Sequence, residues 1–579
     1  MNRIRWIVNN LFRLHLEAKI ANTRIYIIIG LIVLTYLVLI IRIISLSTFS
    51  LRNTSIDQNK LDIADSKQKV SMLRPRKNIL DRNQVVLATN ALSFSVFINP
   101  TKVYNKEYAI NSLLKIVPGL KRRELSNKLM SNKKFVWIAR DITPAIKEKI
   151  YDLGIPSLDF QSEYRRIYTH SNSMSHILGF VGRDNIGLCG IERKMNDFLC
   201  GTGYTIDSSD TKASTKDLIL SIDANIQNIV DDELSKTIKE FRAKAGAVIV
   251  ADPNTGEIIS MVSKPDFNPH DPSSSDVQSR FPLASLGVYE LGSVFKTVLM
   301  AIAIDNSTVT TRDVYNIQPF KVSNFTISDF HKKYGWQTIP QIFMYSSNIG
   351  MSHIAIELGE KTIMKYFKRL GLLSKLNIEI GELGHPIYPK GKLSPLNLIT
   401  LSYGYSLAIT PLHFVQSMLP VVNGGIMMPL TLLKKQESNL DGVKQRVFNV
   451  STSNEMLKLL RLSVTKGTGK KAEAPGYIVG GKTGTANKLH NGKYVKKNKR
   501  LASFIAVTPS HNPKYVIYML LDEPHGNKST FGFGTAGFTV APTISRIISR
   551  IGILEGVAPV DEKREDIEKK LYIEYEIKK

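Results

Sequence analysis

Three short segments carry residue types whose spacing suits acyl-transfer chemistry. The first is Ser293 and Lys296 in LGSVFK. Positions i and i+3 share a helix face, which would set the amine beside the hydroxyl, and a desolvated neutral lysine can take a serine proton. Gly292 fits a tight turn into that helix, whose first N–H groups and positive dipole end would lie near the serine. The second segment is Ser346-Ser347-Asn348 in FMYSSNIGM. From a loop, Ser346 and Asn348 can both face a cleft, the hydroxyl relaying a proton and the amide holding a peptide group. The third is Gly480-Gly481-Lys482-Thr483-Gly484-Thr485-Ala486 after the apolar GYIV. It is expected to be a strand whose glycines admit another backbone. Its Lys482, Thr483 and Thr485 offer a cation and hydroxyls suited to a carboxylate.

Singly, none of these decides a function. Ser66 with Lys69, and Ser131 with Lys134, repeat the first spacing in lysine-rich, solvated contexts. Ser and Asn are also preferred helix N-caps. Residues 476–483, GYIVGGKT, have the G-x-x-x-x-G-K-[ST] spacing of a phosphate loop, but such a loop joins a strand to a helix, whereas this segment is expected to be itself a strand. In order along one chain, however, the three resemble the S-x-x-K, S-x-N and K-T-G series of penicillin-binding proteins and serine β-lactamases.

The resemblance extends over nearly the whole chain. Arg76-Lys77-Asn78-Ile79-Leu80-Asp81-Arg82-Asn83 is similar to the opening R-G-x-I-x-D-R-N segment of class B penicillin-binding proteins. Gly182-Arg183-Asp184-Asn185 with Gly190-Ile191-Glu192 resembles their next shared block. Ser221 to Gln227 resembles the start of their transpeptidase domain, and Asp252-Pro253-Asn254-Thr255-Gly256 the turn after it. Tyr403-Gly404-Tyr405, Pro411, the GTGKKAEAPGY stretch and the Asn of the second motif resemble the division-specific branch, penicillin-binding protein 3-like, more than the elongation branch. Lys77 and Gln84 stand where the family usually has Gly, Leu291 where Pro is frequent, and Ser406 where Gly is frequent. None of these departures removes a reacting group.

The resemblance implies an α+β multidomain fold: a penicillin-binding transpeptidase, serine β-lactamase-like domain with an antiparallel sheet flanked by helices. It would sit on an elongated β-rich pedestal of the dimerisation type, with one N-terminal transmembrane helix. Expected bounds are 1–24 for a cytoplasmic tail, 25–46 for the anchor, 47–210 for the pedestal, 216–555 for the transpeptidase and 556–579 for a solvated charged tail. The implied function is D,D-transpeptidation of peptidoglycan stem peptides, drawn from a lipid-linked precursor polymer, with β-lactams as inhibitors. Ser293 would be the nucleophile, Lys296 its base, Ser346 and Lys482 the proton network, and Asn348 a peptide holder. Thr483, Gly484 and Thr485 would bind the terminal carboxylate, and the N–H groups of Ser293 and Thr485 would form the oxyanion hole. No metal and no cofactor are implied. An elongation-type transpeptidase and a non-catalytic divisome scaffold are the alternatives. A class A β-lactamase is disfavoured because no E-x-x-L-N lies between Ser346 and Lys482.

Composition bounds the rest. The chain has 579 residues, of which 43% are hydrophobic and 22% charged. That excludes a mainly disordered chain, a collagen-like fibre and a polytopic membrane protein. Its net charge is +27, which by itself suits nucleic acid as well as an anionic surface. Residues 25–41 read IYIIIGLIVLTYLVLII, and Arg3, Arg5, Arg13, Lys19 and Arg24 precede them. A helix over 25–46 would span a hydrocarbon core of about 30 Å, with the basic end in the cytoplasm and no A-x-A-like cleavage site after it. The remainder would then lie in the periplasm on the inner membrane, without nucleic acid. The resemblance implies partners there: the division glycosyltransferase and other divisome membrane proteins. Cys189 and Cys200 are two thiols that an oxidising compartment could pair. Residues 488–500 (KLHNGKYVKKNKR) read as a solvated lysine-rich loop beside the cleft.

Overall fold

The computed structural model describes residues 31–40, 42, 75–201, 216–435, 445–490, 493–494 and 499–577. Residues 31–40 and 42 are helical and exposed. The rest of the expected anchor at 25–46, residues 47–74 of the expected pedestal and residues 202–215, where the pedestal is expected to give way to the transpeptidase domain, lie outside the described residues. No helix among the described residues is long and apolar enough to cross a membrane. Residues 75–577 belong to one compact unit.

The pedestal is built on β1 (Ile79–Leu80), β2 (Val86–Ile98), β3 (Val136–Ile142), β4 (Leu158–Tyr168) and β5 (Leu218–Ile219). β2 pairs antiparallel with β4 from Ala88↔Tyr168 to Ile98↔Leu158, and with β1 and β3 on its other edge. Three helices, α1 (Lys106–Ile116), α2 (Arg122–Leu129) and α3 (Pro144–Tyr151), enclose a separate small core with Phe94, Val96, Ile98 and Ile138. Asn105 and Thr143 cap α1 and α3 by accepting from Tyr108 N and Ile146 N, which satisfies N–H groups that a helix start leaves orphaned.

Two buried polar knots tie this layer together and to the next. Arg76 Nε donates to Glu192 at 2.9 Å, and Arg166 Nε donates to the same carboxylate at 2.7 Å. All three side chains are almost fully buried, so each charge has a partner where an unpaired one would be costly. Asp81 accepts from the backbone N–H groups of Asn83, Val85 and Ala224, and Asn83 Nδ2 donates to Asp223. The Asp-Arg-Asn segment thereby latches the pedestal to the start of the next domain. Gln84 has φ 68° and Ser406 φ 61°, the left-handed region that favours glycine. These are two of the positions where the family resemblance anticipates one. Cys189 and Cys200 are free thiols. Burial pushes Cys189 up to about 11, and Arg76 Nη1 donates to Cys200 Sγ at 3.0 Å.

The second domain is a five-stranded antiparallel sheet in the order β8-β9-β10-β6-β7. Its strands are β6 (Ala245–Ala251), β7 (Ile258–Lys264), β8 (Gly480–Asn487), β9 (Arg500–Thr508) and β10 (Tyr515–Asp522). β6 and β10 are buried along their whole length, because helices cover both faces. Val248, Val250, Phe504 and Ile517 point to one side, against α4 (Ala224–Phe241) and a C-terminal helix at Ala541–Leu554. Ala247, Ile249, Ile505 and Tyr518 point to the other, as the two-residue strand period requires. That second face carries α5 (Lys296–Asp305), α6 (Ile339–Tyr345), α7 (Asn348–Arg369), α8 (Pro411–Val422) and α9 (Val450–Thr465). The helix at Ala541–Leu554 is α10.

Two expectations need correction. Residues 556–577 are not a free solvated tail. Ile567 and Leu571, on α11 (Glu565–Leu571), are buried, Arg461 donates to Glu562, and Thr338 Oγ1 donates to the Tyr575 carbonyl at 2.8 Å. The apolar side chains four apart give α11 one buried stripe despite its mixed charge. The lysine-rich stretch after Lys482 is not a wholly solvated loop either. Lys488 pairs with Asp522 and Glu523 at 2.7 and 2.8 Å, and Leu489–His490 with Lys493–Tyr494 form a hairpin. Residues 491–492 and 495–498 of that stretch lie outside the described residues.

Candidate active site

Ser293 sits in a 3-10 turn, Gly292–Phe295, that runs straight into α5, so Lys296 is the first residue of the α-helix. Gly292 has φ 64°, and a Cβ there would lie 3.0 Å from the Thr485 carbonyl oxygen. Gly292 N donates to Gly404 O at 3.1 Å. The turn is thus gripped between the 403–406 loop and β8. β8 is the edge strand of the sheet, so one side of its backbone has no strand partner and is open to this turn. The approach is close: a Cβ on Gly484 would lie 2.8 Å from a Val294 methyl and 3.0 Å from the Leu291 carbonyl oxygen. The glycine of the Lys-Thr-Gly segment is therefore required by packing against the Ser293 turn.

Lys296 does not donate to Ser293. Its Nζ donates to the Ser346 carbonyl at 2.6 Å, to Asn348 Oδ1 at 2.7 Å and to Ser346 Oγ at 3.2 Å. The first motif is thereby bound to the second. Burial drives the Lys296 amine well below the usual lysine range, the nearby Lys482 charge pushes the same way, and Asp329 opposes both. A neutral amine has two N–H donors and one lone pair. In that state it keeps two of these bonds and has a lone pair to offer the Ser293 proton. Lys482 is also fully buried and pushed down to about 7 by desolvation. Its Nζ lies 5.7 Å from the centre of the Phe343 ring, and its one hydrogen bond is a long 3.4 Å contact to the Thr483 carbonyl. Two lysines of lowered basicity beside a half-buried serine are what an acyl-transfer nucleophile needs.

The second motif ends one helix and begins another. Ser346 terminates α6 in a left-handed conformation, φ 61°. Ser347 then caps α7, accepting from Gly350 N at 3.0 Å. The capping reading and the catalytic reading of this segment therefore divide between adjacent residues. α6 starts with a capping box between Thr338 and Gln341, a device worth about 1 kcal/mol. Sequence reasoning missed Asp329. Its buried carboxylate accepts from Ser347 Oγ at 2.6 Å and from the backbone N–H groups of Asn348 and Ile349 at 2.5 and 3.0 Å. No motif or spacing marks it. It also missed Thr468, whose Oγ1 lies 2.6 Å from Thr483 Oγ1.

On β8, Thr485 Oγ1 accepts weakly from Ala536 N at 3.5 Å, which keeps its O–H free to donate. Ser293, Lys296, Ser346, Asn348, Lys482, Thr483, Gly484 and Thr485 are thus brought to one site, where the Ser293 turn meets β8 and Lys296 is bonded to the α6–α7 junction. Tyr405 and Glu290 brace its rim: Asn487 N donates to Tyr405 Oη at 3.1 Å, while Ser406 N and Tyr494 Oη donate to Glu290. Among the described residues, no cluster of His, Cys, Asp and Glu suits a metal ion.

Both domains match known protein families. Residues 246–545 match the penicillin binding protein transpeptidase domain, and residues 72–219 the penicillin-binding protein dimerisation domain. The chain is 32% identical to a probable peptidoglycan D,D-transpeptidase FtsI of Caulobacter vibrioides, over 83% of this chain and 82% of that one. It is 30% identical to a probable peptidoglycan D,D-transpeptidase PenA of Neisseria gonorrhoeae, over 84% and 85%. It is 28% identical to the peptidoglycan D,D-transpeptidase FtsI of Escherichia coli, over 70% and 71%. A crystal structure of a peptidoglycan synthetase from Bifidobacterium adolescentis superimposes with a TM-score of 0.65 at 20% identity, covering 85% of this chain and 97% of that one, which is a likeness of fold.

Proposed function

The chain belongs to the penicillin-binding protein transpeptidase family, as a class B, division-type peptidoglycan D,D-transpeptidase, and from that premise we propose how its own residues perform the reaction. Ser293 Oγ attacks the carbonyl of the penultimate D-Ala of a stem pentapeptide. Its proton passes to neutral Lys296. The N–H groups of Ser293 and Thr485 hold the oxyanion, each such donor being worth about 3 kcal/mol. Ser346, linked to Lys296, delivers a proton to the leaving D-Ala nitrogen, while Lys482 keeps that network short of protons. Thr483 and Thr485 hold the terminal carboxylate, with Gly484 between them letting β8 pack on the Ser293 turn, and Asn348 holds the donor peptide. An amine from a neighbouring stem then displaces Ser293 and forms the cross-link. A β-lactam acylates the same serine.

The observation that carries this reading is the bridge from Lys296 to Ser346 and Asn348, at 2.6 and 2.7 Å, with both Lys296 and Lys482 buried. A scaffold with no chemistry has no use for two buried, weakly basic lysines, whose burial is unfavourable for folding. The test is the detergent-solubilised chain with a fluorescent penicillin, beside Ser293→Ala, followed by intact mass over hours. A lasting adduct on the unaltered chain alone is expected. No adduct on a folded chain would favour the scaffold, and rapid loss with drug hydrolysis would mean a lactamase.

The same reading includes the membrane and its partners. Residues 25–46 would cross the inner membrane once, with the basic N-terminus in the cytoplasm and residues from about 47 onward in the periplasm. The uncharged run at 25–41 and the five basic residues before it support this. In that position the pedestal would meet the division glycosyltransferase and other divisome membrane proteins. Protease added to intact spheroplasts should degrade the part that binds penicillin. Protection of that part would overturn the topology.

A further inference from the structure

The loop at residues 328–336, SDFHKKYGW, adjoins the second motif and has no place in the chemistry above. It is braced at both ends. On one side Asn348 Nδ2 donates to the Ser328 carbonyl at 3.3 Å, and Asp329 accepts from Ser347, Asn348 and Ile349. On the other, Gln337 Nε2 donates to the Lys333 carbonyl at 2.6 Å, and Lys333 Nζ lies 3.7 Å from the centre of the Tyr345 ring, next to Ser346. Lys333 N donates to His331 O at 2.7 Å, folding the tip tightly. Between the braces Phe330, His331 and Lys332 are all exposed. Phe330 is 74% exposed and Trp336, just past the tip, 63%. The Phe330 and His331 rings meet edge to face, 5.1 Å apart.

A braced, solvent-facing aromatic and cationic tip is a poor use of apolar surface for stability, since burying a ring like Phe330 would be favourable. It is a good platform for a ligand with apolar and anionic groups. The loop's one acid, Asp329, is buried and already bonded, so the tip presents Lys332 and Lys333 unopposed within the loop. The carboxylate that Thr483 and Thr485 are proposed to hold lies across the cleft on β8. The loop would meet a different carboxylate.

We propose that Phe330, His331 and Lys332 form a subsite for the body of a stem peptide, with Phe330 against alanine methyl groups and Lys332 on a carboxylate upstream of the reacting D-Ala residues. The proposal rests on the acyl-enzyme reading and names a specificity determinant for it. The carboxylate could belong to the donor stem or to the acceptor stem.

The test uses the full chain in detergent with Lys332→Glu, Lys332→Ala and Phe330→Ala. Three rates are compared: Ser293 acylation by penicillin, D-Ala release from a stem pentapeptide with free carboxylates, and the same release from its amidated counterpart. Transfer to a carboxylate-bearing acceptor stem is titrated separately. For Lys332→Glu the ratio of the pentapeptide rate to the penicillin rate should fall roughly fivefold, the scale expected for reversing a surface charge. The amidated peptide should be insensitive. If the fall appears only in the acceptor concentration for half-maximal transfer, the subsite serves the acceptor. An unchanged ratio and an unchanged acceptor titration overturn the proposal. So does an equal loss on penicillin and both peptides, which would make the loop only a brace for Asn348. Absence of a penicillin adduct on the unaltered chain would instead sink the acyl-enzyme reading.

Discussion

Lys296 Nζ lies 2.7 Å from Asn348 Oδ1, and that amide in turn donates to the Ser328 carbonyl. The lysine of the first motif is therefore positioned by the second. The oxygen it meets is a neutral amide, so burial is offset only in part, by the Asp329 carboxylate, and the amine stays well below its usual range.

Asn348→Asp keeps the shape and adds a charge. An anion at this distance favours the ammonium form, so the acid limb of acylation should move to higher pH. At pH 7 penicillin acylation should fall by about tenfold or more and recover as the pH is raised toward 9. A fall that does not recover with pH would show that the lost N–H donor to Ser328, and not lysine protonation, is responsible.

Asp329→Asn acts on the same amine from the opposite direction. Asp329 is the one group that raises the Lys296 value. Removing its charge should move the acid limb to lower pH. The same change weakens three hydrogen bonds to the start of α7, which should cost about 2–3 kcal/mol of stability. A thermal shift with an unmoved pH profile would confine Asp329 to a capping role.

Asp329 also shows where sequence reading stops. Ser293, Lys296, Ser346, Asn348 and Lys482 were legible as candidates because acyl transfer demands those residue types in that order. Asp329 lies in a polar loop, and its importance comes only from which N–H groups the fold brings to it. The docked segment at 556–577 escaped for a similar reason. Its charges dominate the composition, while Ile567 and Leu571 bury a stripe that needs the surface around α9 to have meaning. The central strands were read from apolar runs such as AGAVIV, and the structure adds that helices cover both sheet faces. The break between the 3-10 turn at Ser293 and α5 could not be read at all, because it depends on Gly292 being pressed against β8.

That pressing gives Gly484→Ala a definite outcome. The added methyl would lie 2.7 Å from Ser503 Oγ, 2.8 Å from a Val294 methyl and 3.0 Å from the Leu291 carbonyl oxygen. At least one neighbour is backbone, which cannot rotate away. Overpacking of this kind costs about 1–3 kcal/mol, and β8 can relax only by moving Thr485 away from Ser293. Penicillin acylation should fall at least about tenfold, with a lowered melting temperature. A normal acylation rate would mean that β8 and the turn are not held at the observed separation during the reaction.

Lys482 provides a test of burial itself, because its amine falls to about 7 in the folded chain from an ordinary value of 10.5. Below about pH 7 both folded and unfolded chains carry the proton, and the folded one bears the full cost of a buried ammonium. Between about 7 and 10.5 the unfolded chain binds more protons than the folded one, so stability rises with pH. Above that range neither carries the charge and the cost is gone. Lys482→Met removes the group while keeping an unbranched side chain. It should raise stability by a few kcal/mol at pH 7, with the gain fading as the pH approaches 10, while acylation is lost. Urea midpoints at pH 6, 8 and 10 measure this directly. A gain that does not shrink with pH would mean that the Lys482 amine is not the source of the cost.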